Sequence, residues 1–266
     1  MITLAETSED VARFLAQRSS PLRIAYDTLS DSTIDTLSLA KLDRVVSYEP
    51  EEMVIVVEPG ITLIALETLL AAQGQWIPTI VTSEIPETSL GAAVINDHYH
   101  PRAAILGMLR TSILGGTFCT TDGTIFKSGS RVVKSVAGYD IHRAFCGSRG
   151  KFGAILSLTM KVQPKPERTA RFAIVPAGLE ITRRLNPSVL MADVDSPIIE
   201  LSGYSEDVDQ AMNALREHIH HELSNAEWSQ TLARVRVSHL RAEPDTEVVS
   251  LLSNVRAVFD PKHILV

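Results

Sequence analysis

The sequence predicts an α+β protein: a small α/β unit, then a unit built on an antiparallel sheet, then a smaller α+β unit. Three observations carry this. Short apolar runs alternate with stretches of helical spacing over residues 1–80, an Asp122-Gly123 pair separates two further apolar runs, and Pro164 and Pro166 punctuate the chain before a new strand-then-helix pattern begins. With 266 residues, 45% hydrophobic and 21% charged, the chain can bury the cores of two modest domains. We place them at 1–166, subdivided near residue 80, and at 167–266.

The first helix is signalled by Thr7, three residues ahead of Asp10 and just before Val11, Phe14 and Leu15, the arrangement of a capping box that opens an amphipathic helix. Ser19-Ser20-Pro21 ends it. Residues 22–25, 36–39 and 45–48 read as short strands, and 53–57, apolar throughout, reads as a strand buried on both faces. Pro59-Gly60 turns the chain into a second helix whose Leu63, Leu66, Leu69 and Leu70 share a face, with Gly74 as its stop. Asp122-Gly123 predicts a hairpin with a type I′ turn. Residues 139–146 have helical spacing at Ile141 and Phe145 and run into Gly147, where a left-handed residue closes a helix. After Gly153, the alternation of Leu156, Leu158, Met160 and Val162 predicts a long strand. Residues 198–201 read as a strand, and Ser205 as the cap of a helix with Glu206 and Asp207 in its first turn and Val208, Met212, Leu215 and Ile219 along one face. His218, His220 and His221 close that helix as surface residues.

Composition excludes several classes of function. A net charge of -7 with no basic stripe argues against nucleic acid. Cys119 and Cys146, outside any C-x-x-C arrangement, suit neither a disulfide framework nor a thiolate zinc site, and read as small apolar fillers. No apolar run reaches the roughly 18 residues of a membrane span, and the first residues lack a basic start and apolar centre, so a cytoplasmic location is expected. No G-x-S-x-G elbow supports hydrolysis. His98 and His100, beside Asn96 and Asp97, are candidates for a catalytic base or a metal pair; no metal site is assigned to them. Arg102, Arg110 and Lys134 could pair a substrate carboxylate, or serve as solvated or structural charges.

The run from Val132 to Ile155, VVKSVAGYDIHRAFCGSRGKFGAI, resembles the K-x-V-(A/T)-G-Y-D-(L/I)-x-(R/K)-x-x-x-G-S-x-G-x-(L/F)-G-x-I signature of the FAD-binding, PCMH-type (vanillyl-alcohol-oxidase-like) flavoproteins, and within them the E-subunit branch of glycolate oxidase. The resemblance implies the PCMH-type fold, a small α/β subdomain plus an antiparallel-sheet subdomain, followed by a truncated ferredoxin-like α+β cap. The end, NVRAVFDPKHILV, resembles the family's closing F-D-P-x-x-I-L-N-P-G as far as the Leu. As cofactor the family takes FAD. Thr88, Ser89 and Gly91 match positions lying along its pyrophosphate and ring, Gly138 and Tyr139 match the flavin-side motif, and Ile155 matches the position whose backbone meets the adenine part. Ala92 stands where a second glycine is usual.

The resemblance breaks at one place. The family's phosphate loop, approximately R-G-G-G-T-K, aligns with Arg23-Ile24-Ala25-Tyr26-Asp27-Thr28, and the first glycine of the chain is Gly60. A backbone nest needs glycine because side chains would stand where the anion goes. Asp27 would add a repulsion on the order of 1 to 4 kcal/mol at ~4 Å from a phosphate. Two functions therefore stay open. One is an FAD-binding subunit of a glycolate-oxidase-like complex that takes part in oxidising a small 2-hydroxy acid. The other is a flavin-free structural or regulatory partner of an active flavoprotein homologue.

Overall fold

A computed structural model describes residues 1–27, 33–80, 87–98, 100–129, 140–192, 196–239, 253 and 256–266. The chain falls into two units, each made of separated segments: Met1–His98, Leu109–Gln163 and Glu243–Val266 form the first, Tyr99–Met108 and Pro164–Ala242 the second.

In the first unit β1 (Ile2–Leu4), β2 (Arg23–Ala25) and β3 (Thr36–Ser38) make a parallel sheet of order β1-β3-β2. Helix α1 (Ser8–Gln17) begins as its spacing predicts: Asp10 donates its backbone N–H to Thr7 Oγ1 at 3.1 Å, and the Thr7 hydroxyl donates to the Asp10 carboxylate at 2.8 Å. Val11 and Leu15 point into the core.

β4 (Val45–Glu49) and β5 (Val54–Val57) leave that sheet. They join β6 (Ile113–Cys119), β7 (Ile125–Gly129) and β8 (Ala154–Lys161) in an antiparallel sheet of order β4-β5-β8-β6-β7. The pairing of Ile55 with Met160 means that the sheets do not divide near residue 80. Nor is β5 buried on both faces: Ile55 and Val57 are buried and Val54 and Val56 only partly so, the usual asymmetry of an antiparallel strand. Helix α2 (Leu63–Ala71), capped by Thr62, lays Leu63, Leu66 and Leu70 into the core. Helix α3 (Leu90–Ile95) is short, and all six of its residues are buried.

The β6–β7 connection departs from the type I′ turn. Gly123 is left-handed at φ +88°, but Asp122 is not. Instead the Asp122 carboxylate accepts the Thr124 N–H at 3.0 Å and the Thr120 hydroxyl, so a side chain closes a wider loop. Residues Ile141–Phe145 form a short 3-10 helix that runs on to Gly147 at φ +75°. Gly153, at φ +97°, must be glycine: a Cβ there would stand 2.3 Å from the Cys119 carbonyl oxygen. Beneath these loops Phe118, Phe126, Phe145, Phe152 and Phe259 share one aromatic cluster, with the Phe118 and Phe145 centroids 4.4 Å apart.

His142 lies in that 3-10 helix, buried, with Nδ1 3.2 Å from Ser128 Oγ and its backbone N–H donating to the same oxygen at 3.2 Å. Burial pushes its pKa below the ordinary 6.5; Asp140 opposes this and Arg143 adds to it. Below about pH 6.5 the unfolded chain takes up a proton that the folded chain resists. The stability tied to His142 is therefore whole above that pH and is lost as pH falls through the folded value. We expect His142→Gln to flatten part of the fall in melting temperature between about pH 7 and pH 5; an unchanged pH profile would refute this.

The second unit runs β9 (Arg168–Ile174), α4 (Leu179–Arg184), β10 (Val189–Met191), β11 (Ile198–Gly203), α5 (Ser205–Leu215) and β12 (Ile219–Glu222), followed by α6 (Asn225–His239). The antiparallel strand order β10-β11-β9-β12 completes a ferredoxin-like βαββαβ motif, of which only the second half is visible in the sequence. Tyr204, not Ser205, holds the N-cap position of α5 and makes no side-chain cap bond; Ser205 is the first helical residue, its N–H on Glu167 at 3.1 Å. The helix stops at Leu215, where His218 donates its N–H back to the Leu215 carbonyl at 2.7 Å. Ile219, His220 and His221 consequently belong to β12 rather than to a helix face, and His220 and His221 are exposed there. Among the described residues no helix is long and apolar enough to cross a membrane.

Candidate functional site

Thr88, Ser89 and Gly91 are wired to the turn that opens α2. Leu63 donates its N–H to the Thr88 carbonyl at 2.8 Å, Leu90 to Ile61 at 2.8 Å and Gly91 to Pro59 at 2.7 Å. Ser89 Oγ accepts the Ala92 N–H at 3.2 Å as the cap of α3.

Against this platform comes the continuation of β2. Tyr26 is 1% exposed, and its hydroxyl accepts the Ile155 N–H at 2.8 Å. Asp27 Oδ1 accepts the Ser89 N–H at 2.7 Å. The Tyr26 ring lies on Gly91 so closely that a Cβ there would come within 2.5 Å of two ring carbons. Burial pushes the phenol pKa well above its usual value, and a charged Cys119 would raise it further, although the Ile155 bond works the other way. Tyr26 is thus a neutral hydrogen-bonding group. Beside it opens a cleft of about 680 Å³ whose lining includes Lys41 and the carboxylates Asp27, Asp43 and Glu87.

Three of the six expected cofactor positions, Ser89, Gly91 and Ile155, are brought together around Tyr26 and Asp27; Thr88 lines the cleft, and Gly138 and Tyr139 lie outside the described residues. His98 is buried in the first unit, with its N–H on the Ala93 carbonyl at 2.8 Å. His100 is buried in the second, where its Nδ1 accepts the Arg102 N–H at 3.1 Å. Arg102 forms a buried, two-pronged pair with Glu200, at 2.5 and 2.7 Å, and so serves as a structural charge. Arg110 stands 3.8 Å from Asp97, and Lys134 lies outside the described residues. Burial pushes the thiols of Cys119 and Cys146 up to about 12, which disfavours the thiolate form at neutral pH. Sequence reasoning missed Glu200 altogether. Its one signal was a lone carboxylate inside the apolar run Ile198-Ile199-Glu200-Leu201.

Residues 2–129 match the family model described as FAD binding domain. Over 162 residues the chain is 31% identical to glycolate oxidase subunit GlcE of Escherichia coli (strain K12), covering 61% of this chain and 44% of that protein. The chain is a relative of the FAD-binding, PCMH-type flavoproteins. The chain also matches a mitochondrial D-lactate dehydrogenase (cytochrome) of Arabidopsis thaliana, 29% identical over 133 residues (50% of this chain, 23% of that one), and glycolate oxidase subunit GlcD of Bacillus subtilis (strain 168), 25% identical over 159 residues (60% and 34%). It spans less than half the length of each of these three relatives. Two solved structures of alkyldihydroxyacetonephosphate synthase share the fold at 14% identity: one with TM-score 0.70, covering 99% of this chain and 75% of that one, the other with TM-score 0.66, covering 88% and 54%.

The family's cofactor can be tested against the residues present. Two backbone donors at the expected positions already have protein acceptors, the stretch aligned with the phosphate loop has no glycine, and the cleft carries more carboxylates than cations. In this arrangement the described residues do not fit the diphosphate of a flavin dinucleotide.

Proposed function

We propose that this chain serves a hydroxy-acid-oxidising assembly as a flavin-free subunit, lending the PCMH-type fold as a structural or regulatory partner to a flavin-loaded homologue. One observation carries the reading: the N–H groups of Ser89 and Ile155 are held by Asp27 and Tyr26 from within the chain. The glycolate oxidase and D-lactate dehydrogenase relatives support a small 2-hydroxy acid as the substrate class, acted on at the partner's flavin. The competing reading, in which the chain itself takes FAD and passes electrons on, is supported by the family match. A single preparation separates them. The purified chain is incubated with excess FAD, desalted and examined by visible absorption, then mixed with a flavin-loaded glycolate-oxidase-type homologue and sized. We expect no retained flavin and co-elution with the homologue; about one flavin per chain would defeat the proposal.

A further inference from the structure

Building on the flavin-free reading, we infer that Tyr26 and Asp27 are a built-in occupant of the cofactor cradle: adjacent residues that take the backbone donors a nucleotide would otherwise use, Tyr26 latching the parallel sheet to the antiparallel one and Asp27 latching it to the start of α3. Buried N–H groups must find acceptors, and a cradle shaped for a ligand leaves some of them waiting. Here none of the three expected contacts waits. The Ile155 N–H lies next to the point where the β6–β8 ladder shifts register, between Thr117 and Phe118, and is met by the phenol. The Ser89 N–H is met by the Asp27 carboxylate. Gly91, whose missing side chain would suit a flavin, admits the Tyr26 ring instead.

The two bonds span 129 and 62 residues of sequence, so they tie together parts of the first unit that the chain itself keeps far apart. Both acceptors follow directly on β2, at the place where the family has its glycine loop, so one short stretch performs the whole substitution. Replacing a flexible glycine loop with a buried ring also removes the need for a ligand to order that corner of the fold.

Amide hydrogen exchange on the full chain, read at Ile155 and Ser89, tests this. Tyr26→Phe keeps the ring and removes only the acceptor, and Asp27→Ala removes the other. We expect both amides to be protected in the natural chain. Tyr26→Phe should then speed exchange at Ile155 by about tenfold or more with Ser89 little changed, and Asp27→Ala should do the reverse. Tyr26→Gly with Asp27→Gly, once shown to be folded by circular dichroism, is expected to retain FAD through desalting. Unchanged exchange at Ile155 in Tyr26→Phe, or a folded double-glycine variant that takes no FAD, overturns the inference. If the double variant does not fold, the exchange measurements on the single variants decide. FAD retained by the natural chain would defeat the flavin-free function whatever the exchange shows, whereas unchanged exchange in a flavin-free natural chain would defeat the latch alone.

Discussion

Glu200→Ala is expected to destabilise the second unit by about 3 to 5 kcal/mol. Glu200 is fully buried, with Arg102 Nε and Nη2 at 2.5 and 2.7 Å, Arg171 Nε at 2.9 Å and the Ser188 hydroxyl at 3.3 Å. Burial alone would raise its pKa, but hydrogen bonds and charge from the two arginines more than offset that, and the net shift is downward. Its stabilisation is therefore present above the ordinary value of 4.5 and is lost as pH falls through the lower folded one. Removing the carboxylate takes a two-pronged, buried hydrogen-bonded charge partner from the 6%-exposed Arg102, and desolvation makes that more costly than losing a surface pair. Arg171 is better placed to survive, since its guanidinium also lies 4.8 Å from the centroid of the Trp228 ring. That contact supplies the probe: urea unfolding followed by Trp228 emission in a Trp76→Phe background. Replacing Glu200, Arg102 and Arg171 together with apolar residues of similar volume should recover most of the loss, because no charge is then left buried. A loss under about 1 kcal/mol for Glu200→Ala would show that the triad behaves as an exposed pair.

Asp260→Ala is expected to cost the first unit about 2 to 6 kcal/mol and to free residues 259–266 for proteolysis, since two buried backbone donors lose their acceptor at about 1 to 3 kcal/mol each. The Asp260 side chain is fully buried and accepts the N–H groups of Ile264 at 3.0 Å and Leu265 at 3.1 Å. That fold of the tail lets Leu22 donate its N–H to the Ile264 carbonyl at 2.7 Å and seats Phe259 among the core aromatic rings. It also delivers Lys262 Nζ to the carbonyls of Leu15, Ala16 and Arg18 at 3.0, 2.6 and 3.2 Å, capping a helix that has no basic residue in its own last turn. Asp260→Asn, which keeps one carbonyl acceptor, should lose less. The check is limited proteolysis alongside thermal unfolding; a tail equally protected in wild type and Asp260→Ala would refute the prediction.

What the sequence by itself determined is local. The Thr7–Asp10 cap, the glycine stops at Gly74 and Gly147, and the strand after Gly153 depend on side chains and backbone a few residues apart, or on an alternation that a single strand imposes on itself. The family signature added positions where a cofactor would lie. Tertiary structure alone decided the rest. An apolar run records that a strand has a buried face, but not which sheet will cover it, so β4 and β5 read as part of the small α/β unit and instead pair into the five-stranded sheet. The first half of the βαββαβ motif was invisible because α4 has six residues and no side-chain cap, too little for a helical period to register. Arg102 reads as a substrate partner, a solvated charge or a structural one until Glu200 arrives from 98 residues away. Tyr26 and Asp27 read as a broken phosphate loop until folding brings Ile155 and Ser89 to them, because a hydrogen bond is specified by the surfaces that meet and not by the chain that carries them.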